Sequence, residues 1–184
     1  DQGALLRELT YEEHCRILDE ITEAGCFWLL YTGGEIFARQ DFLDIYTYAK
    51  QKGLLISLFT NGIFITPEIA DYLSEWRPFS IEITLHGRTR ETYERVTGLS
   101  GSYAKCMRGI QLLAERGLPL ALKTTVVTVN REEIGAMKDY VEKDLGLEFR
   151  FDALINPRMD WSQTPLGVRL PPREVVELDC KDPK

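Results

Sequence analysis

Three short segments of the sequence combine glycine with polar side chains in a way that could bind a ligand. They are Thr32-Gly33-Gly34-Glu35, Thr60-Asn61-Gly62 and Thr84-Leu85-His86-Gly87. Paired glycines let a ligand approach the backbone closely, and the carboxylate of Glu35 could pair with a ligand's ammonium group. Each dipeptide by itself is an ordinary turn, and an acid in the position of Glu35 could equally cap a helix. A binding site is favoured because all three segments stand at equivalent points of the chain.

Those equivalent points are the carboxyl ends of predicted strands, which alternate with predicted helices along the chain. Thr10 and Glu13 form a capping-box pattern at the start of a helix that ends at Gly25. Thr66-Pro67 starts a later helix, and Asn130 is predicted to cap another. Apolar runs of strand length occupy residues 26–31, 54–59, 79–85, 120–129 and 147–154.

Regular alternation of helices and strands predicts an α/β fold with a parallel sheet and right-handed crossovers. A complete eight-stranded barrel needs about 250 residues, so 184 residues favour an incomplete parallel (β/α) barrel with about five strands. We assign residues 1–155 to this partial barrel. Residues 156–184 are predicted to form an irregular linker, with a helix beginning near Pro172, that leads to a C-terminal region beyond this sequence. In such folds the active site lies at the carboxyl ends of the strands.

The composition excludes several classes of protein. With 22 basic and 29 acidic side chains the net charge is -7, which argues against a nucleic-acid partner. No apolar run reaches the roughly 20 residues of a membrane span. The four cysteines are never within four residues of one another, so no short Cys-x-x-Cys ligand pair exists. A reducing, cytoplasmic setting is therefore expected, with each cysteine most simply a small buried apolar side chain.

The ordered set of segments resembles the core of the radical S-adenosylmethionine (SAM) superfamily. Residues 30–35, 59–62 and 83–87 carry the resemblance, and residues 92–98 and 109–113 extend it. Together they are similar to the branch with a C-terminal SPASM-type region, which includes peptide- and protein-modifying maturases. The resemblance covers roughly residues 10–160.

The resemblance implies that the first two segments hold the cofactor SAM. Gly33, Gly34 and Glu35 match the motif that receives the methionine ammonium group of SAM. Asn61 is expected to shape the loop after the second strand.

Further positions follow from the same resemblance. Thr84 matches a polar position that approaches the ribose of SAM, and Arg95 matches a position where an arginine pairs with the cofactor carboxylate in a planar, bidentate manner. Lys123, Thr125 and Asp152 lie on later strands, and their facing is open because a shift of one residue reverses a strand's faces.

Two departures from the family pattern stand out. Ile36 occupies the place of the proline that usually follows Gly-Gly-Glu. The Cys-x3-Cys-x2-Cys loop of the family is expected upstream of the helix at Thr10, and it is absent from these residues; Cys15 has no partners at the right spacing. Three thiolates hold a site-differentiated four-iron cluster, so this chain by itself is expected to bind no metal and to be inactive.

Three functions stay open at the level of sequence. The first is a piece of a radical SAM enzyme whose [4Fe–4S] cluster and external electron donor act in the full-length protein, on a peptide, protein or small-molecule substrate. The second is a non-radical β/α-barrel lyase or isomerase that uses Glu35, His86 and Lys123 as acid–base groups. The third is a non-catalytic binding domain on the same scaffold, because fold alone does not determine function.

Overall fold

A computed structural model describes residues 8–181 and shows one parallel five-stranded sheet. The strands follow one another in sequence order across the sheet, and all four neighbouring pairs are parallel. The predicted α/β fold, an incomplete parallel barrel of about five strands, is confirmed. The strands are β1 (Trp28–Tyr31), β2 (Leu55–Thr60), β3 (Ser80–Thr84), β4 (Leu120–Thr125) and β5 (Glu148–Asp152).

Helices connect each strand to the next. The predicted capping box is present, since the Thr10 amide donates to Glu13 Oε2 at 2.8 Å and the Glu13 amide donates to Thr10 Oγ1 at 3.3 Å. Gly25 follows the end of that helix with φ +88°, a conformation that favours glycine. The helices are α1 (Tyr11–Glu23), α2 (Phe42–Gln51), α3 (Pro67–Glu75), α4 (Arg90–Thr97), α5 (Ser102–Glu115), α6 (Ile134–Asp139, continued by a π-helical turn, Tyr140–Asp144) and α7 (Pro172–Lys181).

The two faces of the sheet differ sharply in burial. Alternate residues such as Ile56, Ile81 and Leu122 are fully buried under the helices and form the main core. The opposite, concave face is open: Trp28 is 52% exposed and Leu30 is 42% exposed. Helices therefore cover one face only, as the outer face of a β/α barrel requires.

The tail after β5 packs against the barrel. Leu170 is buried in the core, and the Thr128 amide donates to the Val168 carbonyl at 2.9 Å. The guanidinium of Arg131 lies 2.5 Å from the carboxylate of Glu174 in α7. Within residues 8–181, no helix is both long and apolar enough to cross a membrane.

Helix α5 makes a close approach to the loop after β2. A Cβ built on Gly109 would lie 2.2 Å from the Gly62 carbonyl oxygen, which is a backbone atom and cannot rotate away. Only glycine allows α5 to lie this close, so Gly109 fixes the distance between the helix layer and the loop that contains Asn61.

We therefore expect Gly109→Ala to lower the free energy of unfolding by about 1–3 kcal/mol, because the backbone of α5 or of the Gly62 loop must move. Gly135→Ala is the matched control, since Gly135 is also helical and a Cβ there meets no atom within 4 Å. That control should be neutral or stabilise by up to about 1 kcal/mol through helix propensity. Urea unfolding of both variants measures the difference, and equal stabilities would contradict the close-packing argument.

Candidate functional site

The carboxylate of Glu35 connects the carboxyl ends of β1 and β2. Its Oε1 accepts hydrogen bonds from the Thr60 hydroxyl at 2.6 Å and from the Phe37 amide at 3.2 Å. Its Oε2 accepts the Asn61 amide at 2.8 Å. Glu35 therefore caps the short 3-10 helix at Ile36–Ala38 and also ties two strand ends together. The helix-capping interpretation is therefore confirmed, and the pairing of Glu35 with a ligand's ammonium group stays a prediction.

Gly33 and Gly34 lie immediately before this anchored carboxylate and are open to solvent. Gly33 has φ +135°, and neither glycine has an atom within 4 Å of a built Cβ. Within residues 8–181, no hydrogen bond uses the main-chain groups of either glycine. Their carbonyl oxygens and amides are thus available to a ligand, and the carbonyls suit an ammonium group.

The loop after β2 is held by its own side chains. Thr60 is buried, and its hydroxyl oxygen accepts the Gly62 amide at 3.0 Å while its proton goes to Glu35. Asn61 Oδ1 accepts the Ile63 amide at 2.9 Å. The Asn61 side chain thus shapes the loop, and its backbone amide joins that loop to Glu35.

Thr84 lies on the concave face at the end of β3. It lines a cavity of about 390 Å³ that also contains Lys123, Thr125 and Asp152. The sequence left open which way Lys123, Thr125 and Asp152 face. Their place in this cavity shows that they point to the barrel interior. Thr84 pairs in register with Lys123 on β4, which in turn pairs with Arg150 on β5.

His86 belongs to a separate, buried aromatic cluster. Its ring lies edge-on to Tyr93, with centroids 5.6 Å apart, and burial lowers the pKa of His86. Burial also raises the pKa of Tyr93 and brings the pKa of the Cys106 thiol to about 11. These groups are therefore neutral near pH 7.

Arg95 is not brought together with the other candidates. It is exposed on α4, and among residues 8–181 no hydrogen bond or ion pair joins its guanidinium to Glu35 or Thr84. A planar contact between Arg95 and a cofactor carboxylate remains a prediction. In the same part of the chain, no group of three His, Cys, Asp or Glu side chains could hold a metal ion.

Sequence reasoning missed the role of Asn130. Asn130 takes the predicted N-cap position, before the 3-10 helix Arg131–Glu133, but its side chain makes no capping hydrogen bond there. The fully buried side chain instead donates from Nδ2 to the His86 carbonyl at 3.0 Å and to the Thr125 carbonyl at 3.1 Å, while Oδ1 accepts the Val127 amide at 2.8 Å. Asn130 thereby joins the ends of β3 and β4.

Glu133 makes a second link between the same two loops. Its carboxylate accepts the Arg88 amide at 2.6 Å, the Thr89 hydroxyl at 2.6 Å and the Thr92 hydroxyl at 2.7 Å. Partial burial by itself raises the pKa of Glu133, but these hydrogen bonds outweigh it and hold the pKa below its ordinary value. Glu133 thus binds the amino end of α4, the helix that carries Arg95.

A comparison with known families identifies the chain. The family model described as "Radical SAM superfamily" matches residues 2–141. The chain belongs to the radical SAM superfamily. Members of this superfamily use SAM together with a [4Fe–4S] cluster.

The relatives of this radical SAM chain include a heme synthase, a maturase and a peptide cyclase. An AdoMet-dependent heme synthase of Methanosarcina barkeri is 33% identical over 69% of this chain and 36% of its own length. The mycofactocin maturase MftC of Mycobacterium ulcerans is 32% identical over 72% of this chain and 35% of its own. The PqqA peptide cyclase of Granulibacter bethesdensis is 26% identical over 93% of this chain and 45% of its own length. The chain thus spans a third to a half of the length of these curated relatives.

Solved structures agree on the fold. The crystal structure of SuiB from Streptococcus suis superposes with a TM-score of 0.76 at 13% identity, covering 96% of this chain and 41% of SuiB. The structure of SuiB bound to S-adenosylmethionine gives a TM-score of 0.68 at 14% identity, covering 79% of this chain and 34% of SuiB. Two of the curated relatives are thus named as a maturase and a peptide cyclase, as the predicted maturase branch implies.

The lowered pKa of Glu133 predicts a pH-dependent contribution to stability. A depressed carboxyl pKa stabilises the fold above the unfolded-state value of 4.5, and this contribution is lost as the pH falls through the folded-state value. We expect Glu133→Gln to reduce the free energy of unfolding by about 1–3 kcal/mol at pH 7, and by less as the pH approaches 3.

Glu132→Gln is the matched control, because among the described residues the exposed Glu132 carboxylate pairs with Arg131 alone, at 3.1 Å. It should change stability by less than about 0.5 kcal/mol at either pH. Urea unfolding at pH 7 and at pH 3 measures both variants. A Glu133→Gln deficit that is equal at the two pH values would contradict the role of the carboxylate.

Proposed function

We propose that the protein carrying this chain is a radical SAM enzyme that abstracts a hydrogen atom from a peptide or protein substrate. SAM and the cluster together supply a reductive cleavage that yields methionine and a 5′-deoxyadenosyl radical. The single observation that carries the proposal is the anchored Glu35 carboxylate with the open main chain of Gly33 and Gly34 before it. It stands in a chain whose family match covers residues 2–141.

The residues of this chain fit SAM. Free carbonyl oxygens at Gly33 and Gly34 can accept an ammonium group, and the negative charge of Glu35 lies directly behind them. Thr84 opens into the concave cavity, where a ribose hydroxyl would find a hydrogen-bonding partner. We assign Asn61 to shaping this pocket and Arg95 to the cofactor carboxylate.

The residues do not fit the iron–sulfur cluster. Within residues 8–181 the thiols of Cys15, Cys26, Cys106 and Cys180 are all free, and no cluster of ligating side chains exists. We therefore assign the cluster to cysteines outside this sequence. Free thiols also support a reducing, cytoplasmic setting for the protein.

The names of relatives support a peptide or protein substrate, because the PqqA peptide cyclase and the mycofactocin maturase MftC are among them. We infer that an external donor supplies the electron and that nucleic acid is not a partner, given the net charge of -7. Residues 1–155 are assigned to the barrel, and residues 156–184 to a connecting segment.

The acid–base alternative receives no support from the geometry. Its three candidate groups are engaged separately: Glu35 with Thr60 and Asn61, His86 against Tyr93, and Lys123 with Glu82. Among the described residues no contact joins the three to one another.

The decisive experiment joins this chain to an upstream segment that contains a Cys-x3-Cys-x2-Cys loop. After anaerobic reconstitution and reduction with dithionite, the protein should convert SAM to 5′-deoxyadenosine, measured by liquid chromatography and mass spectrometry. Glu35→Ala and Glu35→Gln should lower this conversion at least about tenfold, the equivalent of about 1.4 kcal/mol. Thermal unfolding of each variant is measured in parallel.

Glu68→Ala is the control, because Glu68 is an exposed acid that likewise stands at the start of a helix, in the first turn of α3. It should keep full conversion. If Glu35 only capped the following helix, its variants would lose up to about 1 kcal/mol of stability and keep cleaving SAM. Normal cleavage by a destabilised Glu35 variant would therefore overturn the cofactor role.

The cluster assignment has its own test. Anaerobic treatment of the 184-residue chain alone with iron and sulfide should give no stable four-iron cluster, because thiolate ligands at suitable spacing are required. The absorbance near ~400 nm and the iron content per chain are measured after desalting. A persistent band with about four irons per chain would contradict the assignment.

A further inference from the structure

The hydroxyl of Thr60 links the helix side of the sheet to the loop that carries Glu35. Thr60 is the last residue of β2 and is only 5% exposed, on the same face of the strand as the buried side chains of Ile56 and Leu58. Its oxygen accepts the Gly62 amide at 3.0 Å, and it lies 2.6 Å from Glu35 Oε1. A buried side chain thus makes direct contact with the carboxylate of the proposed cofactor site.

The direction of the hydrogen bond between Thr60 and Glu35 is fixed by the chemistry of the two groups. A hydroxyl has one proton and two lone pairs, whereas a carboxylate has acceptors only. The single proton of Thr60 is therefore given to Glu35, while the Gly62 amide donates to a lone pair of the same hydroxyl oxygen. The oxygen–oxygen distance of 2.6 Å is typical of charge-assisted hydrogen bonds, which are stronger than those between neutral groups.

Glu35 keeps some acceptor capacity after its contacts with the chain. A carboxylate offers about four lone-pair sites. The Thr60 hydroxyl and the Phe37 amide occupy Oε1, and the Asn61 amide occupies one site of Oε2. Among residues 8–181, no cation pairs with Glu35 and no further hydrogen bond reaches its carboxylate. The site left open is therefore on Oε2, which is the oxygen that can receive a donor from a ligand.

The amide that donates to Thr60 is itself held in place. Gly62 has φ +75°, and a Cβ built on it would lie 3.1 Å from Ile83 Cδ1 on β3. The carbonyl of Gly62 packs closely against Gly109 of α5. Gly62 can move away from Thr60 only if β3 or α5 moves as well, so the Thr60 hydroxyl keeps a fixed donor and a fixed orientation.

The other two donors to Glu35 restrain its carboxylate in different ways. The Phe37 amide lies two residues along the same loop and 3.2 Å away, so it holds Glu35 relative to that loop alone. The Asn61 amide donates to Oε2, the oxygen that also has the open site. Thr60 holds the opposite oxygen, Oε1, from the end of a neighbouring strand, and thereby limits rotation of the carboxylate.

We propose that Thr60 is a positioning residue of the cofactor site. Its hydroxyl holds Glu35 Oε1 against the end of β2, so that the open acceptor site on Oε2 keeps one orientation for the ammonium group of the ligand. Thr60 itself does not touch the ligand and acts through Glu35. The ammonium ligand rests on the proposed function, whereas the orientation of Glu35 by Thr60 does not.

The test compares two ligands of the 184-residue chain that differ at one end. S-adenosylhomocysteine carries an amino-acid end with its ammonium group, whereas 5′-methylthioadenosine has the same adenosine and sulfur without that end. Isothermal titration calorimetry gives both dissociation constants. Thr60→Val keeps the shape of threonine without the hydroxyl; it should weaken binding of S-adenosylhomocysteine about five- to tenfold and leave binding of 5′-methylthioadenosine unchanged. Thr60→Ser restores the hydroxyl and should bind both ligands as the unaltered chain does.

Thr124→Val is the matched control, because Thr124 is a buried threonine near the end of β4 whose hydroxyl contacts Asn130 and Thr125. It should leave the ratio of the two dissociation constants unchanged. Thr60→Ala covers the case in which Thr60→Val does not fold, because its smaller side chain leaves room for a water to accept the Gly62 amide. The same selective loss of S-adenosylhomocysteine binding is expected for Thr60→Ala.

A double-mutant cycle tests whether Thr60 acts through Glu35. In a Glu35→Gln background, Thr60→Val should weaken binding of S-adenosylhomocysteine by less than about twofold, because the carboxylate that it orients is absent. Three results would overturn the proposal: unchanged binding by Thr60→Val, equal weakening of both ligands, or an undiminished effect of Thr60→Val in the Glu35→Gln background. Equal weakening of both ligands is the result expected if Thr60 only stabilises the fold.

The same measurements separate this proposal from the proposed function. If Glu35→Gln weakens binding of S-adenosylhomocysteine and Thr60→Val does not, the positioning role of Thr60 is wrong and the cofactor role of Glu35 stands. If Glu35→Gln has no effect, the cofactor role of Glu35 is wrong, and the positioning role of Thr60 is wrong with it.

Discussion

The proposed cofactor site depends on one carboxylate that joins two strand ends. Glu35 accepts hydrogen bonds from Phe37, Thr60 and Asn61, so a single charged group fixes the loop after β1 against the loop after β2. Hydrogen bonds to an ionised carboxylate are about twice as strong as those between neutral groups. The main-chain groups of Gly33 and Gly34, which make no hydrogen bond within residues 8–181, are thereby held in place for the proposed cofactor.

The same principle operates at the next pair of strand ends. Asn130 is fully buried and joins the ends of β3 and β4, and Glu133 binds the first turn of α4. Buried polar groups are costly unless they are hydrogen-bonded, so these satisfied side chains specify one arrangement of the loops. Close packing of Gly109 on Gly62 then fixes the helix layer relative to the site.

The sequence predicted the local features because they depend on neighbours along the chain. The capping box of Thr10 and Glu13 and the loop hydrogen bond of Asn61 arise within three residues. The links that Asn130 and Glu133 make between strand ends could not be assigned in this way, because His86 and Arg88 lie more than 40 residues away from them and become neighbours only when the sheet forms. Their residue types were visible, but asparagine and glutamate near a helix start most often cap it.

The side chains on the concave face differ in polarity between the two ends of the strands. Toward the amino ends of the strands, Trp28 stacks edge-on against Phe79 and donates to the Ser57 hydroxyl at 3.1 Å, which gives a largely apolar surface.

Toward the carboxyl ends, Glu82, Lys123 and Arg150 put ionised groups on the same face. Bringing charges out of water costs several kcal/mol each, and replacing such a set by apolar residues is often neutral or stabilising. Stability alone therefore does not account for an ion cluster at this end. Lys123 and Arg150 stay 29% and 48% exposed, so water still reaches both cations and the cost of desolvating them is reduced.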